Sequence, residues 1–532
     1  MPEFSLCNPR VNKEMTPVEL NIFAGRMSSV CEEMGAVLRN TAFSPNIRDR
    51  LDFSCAIFDA DGELCAQAAH LPVHLGSMAF AMRDVVTGLG WGEGDMLILN
   101  NPYLGGTHLP DVTLIAPVFV EGGLVAFVVN RAHHADIGAD SPGSMPLSSH
   151  LDEEGLVISP VKLIKDGRID EGVMASIIAG NKNPQVSRGD FLSQMSANTT
   201  GVRRLTELVT GMGMQAFSQG LTDLNSYAER LARSALVDIP DGEYTFEDLM
   251  DDDGQGGLDI PIRLSLKVDG ASIVADFAGT AGQVRGNINC PLSVAAAGVY
   301  YVFRCLMPVQ MPACAGAFRS IDVIAPPGSL LNARYPAAVA AGNVETSSRV
   351  VDVVLGALLQ AIPDRICAAA HGGMNNLAMG DNRAGRHWDY YETIGGGMGA
   401  GVQGDGLSAV QTHMTNTLNT PVEVMETAYP VRIRRYGLRT ESGGSGRNRG
   451  GDGVVREYEF LDRARVTLLT ERRRNSPWGA AGGQPGCPGS NRLNGEQLLG
   501  KATFEVETGD CLTIETPGGG GFGEKDGIQG NK

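Results

Sequence analysis

Glycine constrains this chain more than any other residue. It fills 69 of 532 positions, nearly twice a typical share of about 7%. A residue without a side chain is placed where the backbone turns sharply or approaches another backbone or a ligand. Two clusters invite comparison with phosphate cradles: Gly399-Ala400-Gly401-Val402-Gln403-Gly404, which matches G-x-G-x-x-G, and Pro517-Gly518-Gly519-Gly520-Gly521-Phe522-Gly523. The first lacks a clear strand before it and a helix after it, and no G-K-[ST] occurs in the chain. A nucleotide site within this chain is therefore not expected, and both clusters read as structural turns.

The remaining composition narrows the class. With 43% hydrophobic and 20% charged residues the chain can bury a core, and its length suggests about three domains. Acidic side chains outnumber basic ones 61 to 43, for a net charge of -18. That balance argues against a broad nucleic-acid or anionic-membrane surface, which needs clustered Lys and Arg. Met1 to Met15 has no apolar core of the signal-peptide kind, and no run approaches a membrane span of roughly 18 apolar residues. None of the ten cysteines forms a C-x-x-C pair, so they read as reduced thiols of a cytoplasmic protein.

The pattern predicts mixed α/β (α+β) architecture: several β-sheets, glycine-rich loops and a capped N-terminal helix. Thr16-Pro17-Val18-Glu19 is a capping box with proline at the first helical position. Leu20, Phe23, Met27, Val30, Met34 and Leu38 then recur at helical spacing. Short apolar runs at Phe53–Phe58, Met96–Leu99, Val112–Val118 and Leu124–Val129, punctuated by Asp-Gly, Asn-Pro and Gly-Gly, predict strands. Gln185 to Leu236 reads as helical, and Val350–Ile362 as an apolar helix. Further strands are expected at Tyr244–Phe246, Ile260–Val268, Ser272–Phe277, Val431–Arg434, Val454–Phe460 and Arg465–Leu469. Turns at Pro240-Asp241-Gly242 and Ala325-Pro326-Pro327-Gly328 suggest domains 1–240, 241–327 (β-rich) and 328–532 (glycine-rich α/β).

Chemistry concentrates in the first of these. Three of nine histidines fall within some thirty positions, in Tyr103-Leu104-Gly105-Gly106-Thr107-His108-Leu109-Pro110-Asp111 and Asn130-Arg131-Ala132-His133-His134-Ala135-Asp136. Imidazole with carboxylate is the ligand set of zinc, manganese or iron. His108-x-x-Asp111 places both side chains on one side of a turn, and the intervening strand returns the chain so that His133 meets them. The same residues equally suit structural turn caps and ion pairs. His70 and His74 are separated by Pro72, which argues against one helical face and favours substrate-facing or structural hydrogen bonding over ligation. Asp251-Asp252-Asp253-Gly254 lacks calcium-loop spacing and reads as a solvated turn. Glu471-Arg472-Arg473-Arg474 suits an anion or a salt-bridged interface, and His413 to Glu423 a site lining or a satisfier of buried backbone. No G-x-S-x-G elbow or catalytic cysteine signature occurs.

These blocks, with Asn46–Cys55, His74–Met78, Pro142–Pro146, Gly342–Thr346, Asn448–Gly453, Glu471–Gly479 and Thr516–Gly523, closely resemble the B subunits of ATP-dependent hydantoinases and their relatives. Those relatives are 5-oxoprolinases, caprolactamase and acetone carboxylase large subunits. The resemblance implies an A-type partner subunit that binds ATP-Mg and phosphorylates the substrate's carbonyl oxygen, in a heterotetramer. This chain would handle the activated cyclic amide at a divalent metal, zinc or manganese. Carried over by residue, the ligands are His108, Asp111 and His133, with Asp52 as the fourth and Asp49 its rival on the same segment. His134 and Asp136 become supporting or acid/base residues. Two other readings stand beside this one, a ketone carboxylase subunit and a non-catalytic, metal-stabilised scaffold.

Overall fold

The structure is a computed structural model that describes residues 14–68, 71–383 and 387–525. Cys7, His70 and most of the Met1–Met15 segment lie outside the described residues. The first helix, α1 (Pro17–Thr41), begins where the capping box puts it: the Glu19 amide donates to Thr16 Oγ1 and the Glu19 carboxylate receives the Thr16 amide. Its predicted stripe, Leu20 to Leu38, is buried, and each such side chain contributes about 1.5–3 kcal/mol. A short α2 (Pro45–Arg48) follows.

The N-terminal sheet is antiparallel and seven-stranded, in the order β2-β1-β5-β4-β3-β6-β7. Its strands are β1 (Phe53–Asp59), β2 (Leu64–Gln67), β3 (Met96–Leu99), β4 (Asp111–Val120), β5 (Gly123–His133), β6 (Val161–Lys165) and β7 (Arg168–Ile169). Helix α3 (Pro72–Thr87) covers one face, packing Met78, Met82 and Val85 near Ile115, Phe127 and Val129. Helix α4 (Glu171–Ile178) leads into α5 (Pro184–Met212), which with α1 covers the other face, where Val112, Leu114 and Val128 point. Burial on both faces explains why these strands read as continuous apolar runs. The stretch expected to be helical from Gln185 to Leu236 is two helices, α5 and α6 (Met214–Leu236), because Gly213 adopts φ +85° between them.

Strands β8 (Gly242–Asp252), β9 (Leu258–Asp269), β10 (Ser272–Asp276) and β11 (Ile321–Ile324) form a second sheet, with β10 and β11 parallel. Helix α7 (Leu292–Leu306) packs against α8 (Ser347–Leu358). The wide helical turn Gly342–Thr346 leads directly into α8. In the C-terminal part the strands are β12 (Asn376–Asp381), β13 (Trp388–Glu392), then, after α9 (Val422–Ala428), β14 (Val431–Arg439), β15 (Gly453–Phe460), β16 (Ala464–Leu469), β17 (Ser490–Leu493), β18 (Glu496–Gln497), β19 (Lys501–Val506) and β20 (Cys511–Glu515). They form two sheets, β13-β12-β16-β19 and β14-β15-β20-β17-β18. Among the described residues no helix is long and apolar enough to cross a membrane.

The first glycine cluster does turn, closing at Gly401 and Gly404, which bond to each other; the second, at Pro517–Gly523, is an interior instead. Residues 518–522 run extended and donate their amides outward in rotation. Gly518 and Gly521 donate to the carbonyls of Cys487 and Gln484, Gly519 and Phe522 to those of Gly451 and Asn448, and Gly520 to that of Ala369. A three-residue period is that of a polyproline-II-like strand, whose N–H groups find no partner within the strand and must bond to neighbours. A Cβ on Gly518, Gly519 or Gly520 would stand 2.0 Å from the carbonyl oxygen of Ser442, Met398 or Trp478. Only glycine permits that spacing.

Candidate metal centre

Asp111 opens β4 and His133 closes β5, and the two are paired residues in the antiparallel register. Such partners have Cβ atoms about 4.5–5.5 Å apart. Alternation along the strands sends Asp111 and His133 to the face covered by α3 and sends His134 to the face covered by α5. His108 reaches the same point from the preceding loop, turned by the Asp111 amide bonding to the His108 carbonyl at 3.1 Å. Gly106 makes this loop possible, since a Cβ there would lie 2.2 Å from the Asn100 carbonyl oxygen. Buried Arg131 ties the loop down: its guanidinium donates to Gly105 O, Thr113 Oγ1 and Ser77 Oγ at 2.8–2.9 Å. One ligand atom from each of His108, Asp111 and His133 lies within 4.8 Å of the others, and all three residues are buried.

The two Asp111 oxygens have different tasks. Oδ2 accepts from Thr107 Oγ1 at 2.7 Å and Asn343 Nδ2 at 3.0 Å, and lies 3.1 Å from His74 Nε2. Oδ1 faces His108 Nε2 at 3.1 Å and His133 Nδ1 at 3.2 Å. Burial alone would raise the Asp111 carboxyl, but the imidazoles of His108 and His74 and the bond from His133 outweigh it and hold it well below the usual range. For His108, burial is outweighed by the Asp111 carboxylate and the ring is raised, whereas burial prevails at His133 and lowers it.

Whether these residues fit a cation is decided by their unmatched atoms. His108 Nδ1 lies 3.0 Å from the Ala340 carbonyl, which can only accept, so Nδ1 carries the proton and Nε2 presents a lone pair. That lone pair faces a carboxylate oxygen at 3.1 Å without forming a hydrogen bond. Two acceptors this close repel unless a proton or a metal cation lies between them, and the raised His108 ring shows how strongly the pair attracts one. His133 Nε2 and Asp52 Oδ1 are likewise buried without a hydrogen-bond partner. Three orphaned acceptors from three segments beside one ionised carboxylate fit a divalent cation with nitrogen and oxygen ligands.

The other expected residues sort by their surroundings. The Asp52 carbonyl accepts the His133 amide at 3.0 Å, and its carboxylate comes within 4.0 Å of His74 Nε2, beside the cluster. Asp49 instead pairs with Arg48 at 2.8 Å. His134 is turned away: its ring stacks on Phe191 of α5 at 4.3 Å and its Nε2 meets Gln194 Oε1 at 2.9 Å, with burial lowering its pKa. Asp136 accepts the amides of Gly138 and Lys182. Neither side chain reaches the Asp111 cluster.

One neighbour expected to make structural hydrogen bonds, His74, and two with no role in the sequence reading, Asn343 and Tyr391, complete the surroundings. Pro72, taken as breaking a helical face, instead starts α3 as its first residue, and His74 bonds to Asp111 and lies 3.4 Å from Ser54 Oγ; structural hydrogen bonding is what it does. Asn343 and Tyr391 come from far along the chain. Tyr391 stacks on His133 at 5.0 Å, donates its hydroxyl to Asn376, and lies under the Arg50 guanidinium. Asn376 in turn bonds to Glu345, whose carboxyl burial and nearby Glu471 push up to about 7. The signal for Asn343 lay in the Gly342–Thr346 block, which no spacing rule connects to Asp111.

The acidic run at Asp251 is a correction. Asp251 and Asp253 are buried, not solvated. The Asp251 carboxylate accepts the backbone amides of Arg473, Arg474 and Asn475, and without those three donors its burial would be costly. The cationic run is the salt-bridged alternative: Arg472 pairs with Asp248 and Asp352, and Glu471 with Arg349 and Lys501. In the His413 loop, His413 approaches Asp352 at 3.6 Å, and Thr415 and Thr417 bond to each other and Thr417 to Thr393.

Comparison with known proteins comes to the same stretches. The profile of the family described as Hydantoinase B/oxoprolinase matches residues 16–525. The chain is 40% identical to the 5-oxoprolinase of Dictyostelium discoideum over 97% of its own length and 41% of that protein's. It is 42% identical to 5-oxoprolinase 1 of Arabidopsis thaliana over 95% of its length and 42% of the relative's. It thus spans about two-fifths of these relatives. The ATP-dependent caprolactamase from Pseudomonas jessenii superposes with a TM-score of 0.89 at 30% identity, covering 96% of this chain and 92% of that one. The multi-domain arrangement of helices and sheets is therefore that of the caprolactamase.

Proposed function

The chain belongs to the hydantoinase B/oxoprolinase family, and from that premise we propose that it is the metal-bearing subunit of an ATP-dependent amidohydrolase. The substrate is a cyclic amide, a hydantoin, 5-oxoproline or a larger lactam, whose ring carbonyl oxygen a separate ATP-binding subunit phosphorylates first. The observation that carries this reading is the convergence of His108, Asp111 and His133 with acceptor atoms left unmatched. The names of the relatives support the substrate class. The larger part of the Dictyostelium protein, which this chain does not reach, is where the ATP-binding function would belong. Cytoplasmic location and assembly of two such chains with two partners complete the proposal.

A ring amide is a poor electrophile because its nitrogen donates into the carbonyl. Phosphorylating the oxygen ends that donation and creates a leaving group. A divalent cation, zinc or manganese, when held by His108, Asp111, His133 and Asp52, supplies Lewis acidity that lowers the pKa of water toward neutrality. The chain's own residues prepare the place. Ala340 fixes the His108 tautomer, while Thr107, Asn343 and His74 hold Asp111 ionised and oriented. Burial of the cluster excludes bulk solvent and strengthens every charge interaction within it. His134 and Asp136 hold the end of β5 against α5 from the other face, a supporting role that keeps His133 in place.

The test is reconstitution with an A-type partner, following ATP hydrolysis and product with hydantoin, 5-oxoproline, caprolactam, and acetone plus bicarbonate. Ring opening without bicarbonate is expected. Strict bicarbonate dependence with a ketone would replace the reading by carboxylation, and full turnover by a His108→Ala chain would reduce the chain to a scaffold.

A further inference from the structure

A partly open cavity lies on the other side of β5. It is a cavity of about 210 Å³ between the Phe43–Pro45 loop, the end of β5, the first turns of α5, and β13. Three buried polar atoms on residues lining it have no hydrogen-bond partner: His134 Nδ1, Asp389 Oδ1 and Ser44 Oγ. They come from three separate elements.

Two of the three, on His134 and Asp389, can only accept, and the Ser44 hydroxyl can do either. Gln194 donates its Nε2 to the Val112 carbonyl and to Asn130 Oδ1, both at 2.9 Å, which fixes its Oε1 as an acceptor toward His134. His134 therefore donates through Nε2, and its Nδ1 is a lone pair. Asp389 Oδ2 is taken by His387 Nε2 at 3.1 Å, which leaves Oδ1 free. Asp136 and Asp190 add two more carboxylates to the wall, each engaged only by backbone amides. Neighbouring Lys182 directs its ammonium to the Asp140 carbonyl instead. A pocket of acceptors with excess negative charge asks for a cation that donates hydrogen bonds. Alkali and alkaline-earth cations prefer oxygen throughout their shell, and the described side chains here do not form a convergent group of three metal-ligating atoms as His108, Asp111 and His133 do, so one free imidazole nitrogen and one free carboxylate oxygen suit an N–H donor.

We propose that this cavity binds a small primary ammonium group, held by His134 Nδ1 and Asp389 Oδ1 beside Asp136 and Asp190. It stands apart from the metal cluster, since His133 and His134 leave the strand on opposite faces, and it needs no part of the proposed reaction. Trp388 lines the cavity, its ring tilted against Tyr429 at 5.6 Å, so its fluorescence reports occupancy.

The experiment titrates methylammonium chloride into the full chain at constant ionic strength. A saturable change in Trp388 emission is expected, absent from Trp388→Phe, with no comparable response to potassium or to tetramethylammonium, which has no N–H. Asp389→Asn should weaken the midpoint by about tenfold. The ligand comparison on the unaltered chain stands even if that variant misfolds. An equal response to potassium would overturn the donor argument. No response to methylammonium, or a signal that survives in Trp388→Phe, would leave water as the occupant and overturn the proposal.

Discussion

Replacing Asp111 with Asn keeps the shape of the side chain and removes its charge, which separates packing from electrostatics at the centre. Oδ2 takes Thr107 and Asn343 as donors and faces His74, so the amide oxygen must occupy that position. The amide NH₂ then points to His108 Nε2, a lone pair, while His133 loses the acceptor for its Nδ1; the conflict is confined to one ring, and the fold should be retained. Three charge-assisted bonds become neutral ones, at a difference of about 1 kcal/mol each, so the metal-free protein should lose about 3 kcal/mol. The acid limb of stability should change as well. Because the Asp111 carboxyl is held well below its ordinary range in the fold, its contribution is present above the unfolded pKa of about 3.9 and is lost as pH falls through the folded value. Asp111→Asn should lack that component. Loss of an anionic ligand should lower metal affinity by more than the roughly 10–100-fold typical of supporting residues. Metal content by atomic emission, with thermal unfolding of the chelated protein between pH 3 and pH 8, reads both effects. A variant that retains metal at the level of the unaltered chain would refute the reasoning, as would an unchanged acid limb.

Other outcomes follow from the same contacts. Asn343→Leu removes a donor from Asp111 without touching a proposed ligand, and metal affinity should fall about 10–100-fold in equilibrium dialysis. Gly519→Ala places a methyl 2.0 Å from the Met398 carbonyl, so the glycine-rich region should fail to pack and soluble expression should collapse. The Glu345 carboxyl is pushed up to about 7, so the fold prefers it protonated. Stability from this group is present below its unfolded pKa and declines as pH rises toward 7. Glu345→Gln should therefore gain on the order of 3 kcal/mol over the parent at pH 8 and nothing near pH 4, measured by denaturant melts.

Local order in this chain was readable where local physics decides it. The capping box set the start of α1. Two apolar runs joined by Glu121-Gly122-Gly123 could only return antiparallel, and that hairpin alone brings Asp111 opposite His133. Contacts made across long sequence distances were not readable. Asn343 reaches Asp111 from 232 residues away, and Asp251 is buried because amides some 222 residues on satisfy it. Proline at 72 misled because its effect depends on position: inside a helix it breaks, at the first residue it starts. The glycine count pointed to close backbone approaches, but the threefold rotation of amides around residues 518–522 depends on segments from four parts of the chain.

The central claim is tested most directly by anomalous diffraction from crystals of the chain purified without chelator, recorded on both sides of the zinc and manganese edges. One peak bounded by the imidazoles of His108 and His133 and the Asp111 carboxylate, with Asp52 beside it, is the predicted result. Those side chains found in the same positions with no anomalous peak between them, after addition of either metal, would contradict it.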